Sequence, residues 1–158
     1  MADPKNFRYR SGVSSAGAYQ ISGVPYLSGS DAVIPANDGT PWEITFPFVT
    51  QYVIVENTGA NPLRLGFSVN GIKGLSTISG SSGRHATLET NYFVLAPSSS
   101  VQNRDLSRVR LDVRVRDIYL LGDLDATTTA QIAAGLTTVD VSELTGTRTN
   151  WSASSGVG

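Results

Sequence analysis

Alternation of apolar and polar positions is plainest between residues 42 and 70. Trp42, Ile44, Phe46 and Phe48 fall on one face, and Glu43, Thr45 and Pro47 on the other, the two-residue period of a half-buried strand. Gln51 interrupts it. Tyr52, Val53, Ile54 and Val55 then form a β-branched and aromatic run with little alternation, as expected of a strand covered on both faces. Asn57-Thr58-Gly59-Ala60-Asn61-Pro62 supplies turn formers, and Pro62 is confined to the start or edge of a strand because it lacks a donor. Leu63, Leu65, Phe67 and Val69 alternate with Arg64, Gly66 and Ser68. Asn70-Gly71 then predicts a two-residue type I′ hairpin.

The remaining chain is patterned in shorter pieces. Residues 1–41 show no sustained period and are rich in Gly and Ser, yet Tyr19, Ile21, Val24, Tyr26 and Leu27 recur at intervals. A flexible tail is the plain alternative. So many aromatic and branched anchors favour an extended arm that orders on a partner or on the domain's own flank. Residues 72–78 suggest a short edge strand, and Gly80-Ser81-Ser82-Gly83-Arg84-His85 a loop. A strand is expected over 91–95, ended by Ala96-Pro97. Another is expected over 108–115, with Val109, Leu111, Val113 and Val115 inward. Inward parity then flips to Ile118 and Leu120, so Arg116-Asp117 must hold a bulge or corner. Ala130, Ile132, Ala134 and Leu136 mark a last strand near 128–138, and residues 139–144 extend it or begin a helical turn. About eight short strands, with no helix beyond a turn or two, predict an all-β domain, a β-sandwich of the single jelly-roll type. The expected organisation is an N-terminal arm over 1–41, the sandwich over 42–138 and a C-terminal extension over 139–158.

At 158 residues the chain is one ordinary domain, able to bury roughly two thirds of its unfolded surface. A net charge of −1 gives no overall field toward nucleic acid or an anionic membrane. With no cysteine, a disulfide framework, a thiolate metal site and a cysteine nucleophile are all excluded. Residues 1–10 hold no apolar signal core and no stretch approaches a membrane span, so synthesis and retention in a cytosol-like compartment is expected. The basic residues are ten Arg against two Lys, a bias toward planar pairing at interfaces.

Little in the sequence speaks for catalysis. His85 is the sole histidine and lies in a Gly/Ser stretch, which removes most acid–base and metal constellations. No nucleophile elbow or phosphate-binding glycine loop occurs. Asp123-Leu124-Asp125 offers two carboxylates, but calcium would need further oxygen ligands, and a polar turn is the better expectation. Asn150-Trp151-Ser152 matches a glycosylation acceptor only formally. No cofactor or metal site is expected. The densest charge cluster is Arg104, Arg108, Arg110, Arg114 and Arg116. Arg108, Arg110 and Arg114 would share one strand face, and Asp105, Asp112 and Asp117 interleave with the cluster. Interfacial pairing with acidic neighbours outranks both a solvated face and phosphate gripping for this pattern.

The two ends carry a resemblance. Ser11-Gly12-Val13-Ser14 with Gly17-Ala18-Tyr19-Gln20-Ile21-Ser22-Gly23-Val24-Pro25, and Asn150-Trp151-Ser152-Ala153-Ser154-Ser155-Gly156-Val157-Gly158, are similar to segments of penton, or vertex, proteins of large icosahedral double-stranded DNA viruses of algae. Internally, Leu63-Arg64-Leu65-Gly66-Phe67-Ser68, Asn91-Tyr92-Phe93, Ile118-Tyr119-Leu120 and Ala134-Gly135-Leu136-Thr137 extend it over nearly the whole chain. The resemblance implies a single jelly-roll capsid protein, five copies of which close each vertex among trimers of a major capsid protein. It implies a homopentamer with minor capsid proteins as further partners, no direct nucleic acid contact, assembly in the host cytoplasm and a place in the virion capsid. The family has no catalytic motif. Tyr19, Tyr26 and Trp151 in the extended ends, with the arginine cluster, are the expected interface residues, since aromatics bury area at low side-chain entropy cost. The alternative is a virion spike, decoration or tail sandwich that binds host glycan or a receptor through Trp42, Trp151 and tyrosines.

Overall fold

Most of the regular two-residue alternation lies in extended chain. The computed structural model describes residues 12, 15–20, 23–29, 33–73, 92–98 and 106–144. Among them are eight strands: β1 (Val24–Gly29), β2 (Trp42–Thr45), β3 (Phe48–Asn57), β4 (Leu63–Gly66), β5 (Tyr92–Leu95), β6 (Arg108–Leu111), β7 (Asp117–Gly122) and β8 (Ala130–Asp140). Two one-turn helices, α1 (Ala16–Gln20) and α2 (Val69–Lys73), and a 3₁₀ turn at Val141–Leu144 complete the described elements. The strands form two antiparallel four-stranded sheets, ordered β1-β8-β3-β6 and β2-β7-β4-β5. Only β4 and β5, consecutive in the chain, share a sheet; every other connection crosses between sheets.

One apolar core joins the sheets. Val53, Val55, Ile132, Ala134 and Leu136 from the first face Ile44, Leu63, Leu65, Leu95, Ile118 and Leu120 from the second, with Phe46 fully buried where the chain crosses. Each of the Val, Ile, Leu and Phe side chains contributes about 1.5–3 kcal/mol by leaving water. A smaller cluster of Ala18, Val49, Val139 and Leu144 fastens α1 to the start of β3 and the end of β8.

Several expectations change in physically informative ways. The alternation through Phe46 and Phe48 is broken at Pro47, which has no N–H to continue a ladder. β2 ends at Thr45, and Phe48 is 38% exposed while Val49 turns inward. β3 spans both sides of Gln51, because register shifts between Phe48 and Thr50 and between Thr50 and Tyr52 absorb the irregularity. Its inner face is buried at Val53 and Val55; Tyr52 and Ile54 on the other face are half-buried rather than covered. No hairpin forms at Asn70-Gly71. Residues 69–73 are helical there, with Ser68 Oγ accepting from the Gly71 N–H at 3.0 Å, so Val69 is exposed and Ile72 buried. The strand expected over 72–78 is helix at its first two residues, and the rest lies outside the described residues. The strand expected over 108–115 stops at Leu111 because the fully buried Thr50 takes over the pairing. Its hydroxyl donates to Val113 O at 2.7 Å and accepts from Val115 N at 2.9 Å. The parity flip at Arg116-Asp117 is the crossing from β6 in one sheet to β7 in the other. Residues 139–144 do both things expected of them: β8 continues to Asp140, and the 3₁₀ turn follows. Residues 24–29, within the segment expected to be an arm, form the edge strand β1 against β8.

Candidate functional site

Two surfaces carry the chemistry of the described chain: the arginine face with the groove beside it, and the end where the sheet-crossing loops meet. The groove is built on the outer side of the first sheet. Gly135 of β8 pairs with Tyr52 of β3, and any Cβ at 135 would run into the tyrosine ring. Glycine there lets the ring lie down over the sheet. Arg110 of β6 then places its guanidinium 4.4 Å from the ring centroid of Tyr52, and Arg114 lies 5.1 Å from that of Tyr19 in α1. Such cation–π contacts hold planar guanidinium groups flat without consuming their hydrogen-bonding edges. Asp112 bridges to Arg110 at 3.1 Å with both side chains well exposed, a pair worth little in water. Gln51 Nε2 donates to Tyr19 O, tying α1 to β3. Together with Ser15 and Ala16 these side chains bound an open groove of about 530 Å³.

Of the residues expected at an interface, Tyr19, Arg110 and Arg114 are therefore brought together. Arg108 is exposed two positions from Arg110 on the same strand face. Arg116 donates from Nε to Asp117 Oδ2 at 2.7 Å, against a carboxylate that is buried. Tyr26 faces the core, edge-on to Phe46 with ring centroids 5.0 Å apart. Arg104 and Trp151 lie outside the described residues, as do His85 and Asn150-Trp151-Ser152. Tyr52 and Gln51 were not singled out by sequence. Tyr52 lies in a run with little alternation, and the glycine opposite it is set by pairing between distant strands.

At the other surface, Asn57 is fully buried where β3 ends. Its Nδ2 donates to Asn61 O at 2.8 Å and Ala96 O at 2.9 Å, and its Oδ1 accepts from Gly59 N at 3.0 Å and Thr128 Oγ1 at 2.9 Å. Its own N–H donates to Ser107 O at 2.8 Å. Thr128 in turn exchanges backbone hydrogen bonds with Ile34 at 2.8 and 3.2 Å. One amide thus gathers three loops. The loop between β7 and β8 is anchored separately by Arg64, which donates from Nε to Asp123 Oδ1 at 2.7 Å. The guanidinium lies 4.5 Å from the centroid of Tyr92. Arg64 Nη1 also reaches Ile72 O at 3.3 Å. Asp123 is thereby committed to an ion pair, and residues 123–126 form a polar turn. Leu124 and Asp125 both have φ of 56°, the signature of a type I′ turn, closed by Ala126 N donating to Asp123 O at 3.3 Å. The turn chemistry expected at Asn70-Gly71 occurs here instead. Val33, Leu106 and Leu124 stand exposed on these loops.

Among the described residues, no group of three or more His, Asp and Glu side chains is placed to hold a metal ion. The strongly shifted acid is the Tyr119 phenol, pushed up to about 12 by burial first and then by its 3.0 Å hydrogen bond to Glu43. A phenol held neutral on an outer sheet face supplies no general base near neutrality. Comparison with protein-family models, curated proteins and solved structures finds no match.

Proposed function

We propose that the chain is a non-enzymatic structural protein of an icosahedral virion, a single jelly roll of which five copies close each vertex. The observation that carries this is the pairing of strands. β4 pairs β5, β3 pairs β6, β2 pairs β7 and β1 pairs β8, all antiparallel, a long hairpin wound over itself into two sheets. Such winding is the arrangement of jelly rolls, which serve viral capsids, lectins and cupins alike. Function must then be argued from the surface and the ends. The Gly/Ser-rich termini resemble those of viral vertex proteins, and the exposed Arg-over-Tyr pairs suit contacts between subunits. In this reading the partners are further copies of the chain, the major capsid protein and minor capsid proteins. Assembly takes place in the host cytoplasm, without direct nucleic acid contact. Reconstruction of particles carrying a tagged copy tests it: tag density is expected on the fivefold axes, and density elsewhere in the shell rejects the vertex role.

A second reading, a spike or decoration domain binding host glycan, draws on the groove that Tyr19 lines. Of the tryptophans that suggested it, Trp42 is half-buried against the core and Trp151 lies outside the described residues. Reproducible binding on a glycan array, abolished by Tyr19→Ala, would favour this reading over the first.

A further inference from the structure

We infer that α1 is an exchangeable clasp: in the assembly, α1 of one copy seats on the first sheet of the next copy, at the place its own α1 occupies in the single chain. This rests on the assembly reading above and names its contact. The seat is formed by other elements. Val49 at the start of β3, Val139 near the end of β8 and Leu144 in the 3₁₀ turn make its apolar floor, none more than 4% exposed beneath α1. Thr137 fixes the two strands there, its hydroxyl donating to Val49 O at 2.8 Å and accepting from Val139 N at 3.2 Å. The turn that carries Leu144 is held by Asp140, whose Oδ1 accepts from Ser142 N at 2.8 Å. These bonds do not involve α1, so lifting it uncovers a ready-made apolar surface.

The clasp itself is weak. α1 spans five residues, far below the roughly 12–15 at which an isolated helix becomes even marginal in water, so it is helical because it is seated. Gly17 weakens it further. No described atom lies within 4 Å of where a Cβ at 17 would stand, and its φ is outside the left-handed region, so neither space nor backbone calls for glycine. Glycine within a helix lowers its population by roughly two- to fivefold relative to alanine. What the seat recognises is the helix as placed: Ala18 enters the floor, Gln51 Nε2 donates to Tyr19 O, and the Arg114 guanidinium stands 5.1 Å from the Tyr19 ring centroid. An α1 from a second copy makes the same contacts, so exchange changes only which chain supplies them. Residues 21–23 alone separate α1 from the edge strand β1, and short connections of this kind invite exchange. Fully extended, they let Gln20 reach at most about 14 Å from Val24. Neighbouring copies must therefore meet where β3 begins and β8 ends. Passing α1 from each copy to the next is a heterologous contact, the kind that closes rings.

The full-length chain has no cysteine, so thiols can be placed at will to test this. Ala18→Cys puts one on the clasp and Val139→Cys one on the seat. The two single variants, one isotopically labelled, are mixed at assembling concentration and oxidised; disulfide-linked pairs holding one chain of each kind are the expected product. The double variant, oxidised while dilute, should close the bond within itself. So locked, it is expected to raise the concentration for half-assembly in sedimentation velocity by more than about tenfold, and reduction should restore the parent value. Gly17→Ala steadies the seated helix and should slow the exchange of labelled copies between assemblies, followed by native mass spectrometry, by at least about twofold. Single variants that give no mixed pairs, with a locked chain that assembles like the parent, overturn the clasp and leave the assembly reading standing. A parent chain that stays monomeric at every concentration overturns both.

Discussion

Asn57 shows how much of this molecule depends on single polar side chains in the right place. Its amide serves carbonyls and donors from three loops while excluded from water, so Asn57→Ala strands several buried groups at once. Each such group costs about 1–3 kcal/mol when unpaired. We expect a loss of about 3 kcal/mol in chemical denaturation, and a loss below about 1 kcal/mol would mean that the loops hold one another without it. Tyr119 gives a residue-scale prediction in pH. Its folded value, about 12, lies above the ordinary 10.0, so the neutral phenol is what folding favours. The stability it contributes is complete below pH 10 and lost as pH rises toward 12. Tyr119→Phe should therefore flatten the fall in stability across that window; an unchanged alkaline slope would assign the fall to other groups.

At the scale of elements, Arg64 ties β4 to α2, to β5 and to the turn after β7. It does so through Ile72 O, the Tyr92 ring and Asp123, with both members of the ion pair largely buried. Arg64→Met leaves Asp123 buried and unpaired, at an expected cost of about 3 kcal/mol in thermal or denaturant unfolding. Arg64→Lys should recover less than half of that, since an ammonium can neither stack on Tyr92 nor reach two acceptors in the same geometry. Full recovery by lysine would reduce the role to simple charge. Elements that obey a strict two-residue period were legible in sequence. Leu63 and Leu65 of β4 and Ala130 to Leu136 of β8 face the core as their parity says. The failures sit where tertiary structure overrides local pattern. Pro47 redirects an alternating run into a second sheet, Thr50 replaces strand pairing with a side-chain hydroxyl, and Ser68 caps a helical turn where Asn70-Gly71 promised a hairpin. β1 was missed because Val24, Tyr26 and Leu27 sit among small residues whose pairing depends entirely on β8. Of the groove, the arginines and Tyr19 were visible as a composition bias. The seating of Arg110 on Tyr52 was not, since that ring lies over Gly135, 83 positions away in the chain.

For the whole molecule, exposed apolar side chains stand on the loops at Val33, Leu106 and Leu124 and on the edge strands β1 and β5 at Leu27 and Phe93, while guanidinium groups stack on tyrosines on one sheet face. Net charge is near zero, so association would be governed by local complementarity rather than by a long-range field. The most direct test of a self-closing vertex protein is native mass spectrometry of the purified full-length chain across a concentration series. A dominant species of five copies, without even-numbered intermediates accumulating, is the expected result. A monomer throughout, or a closed dimer, would contradict it.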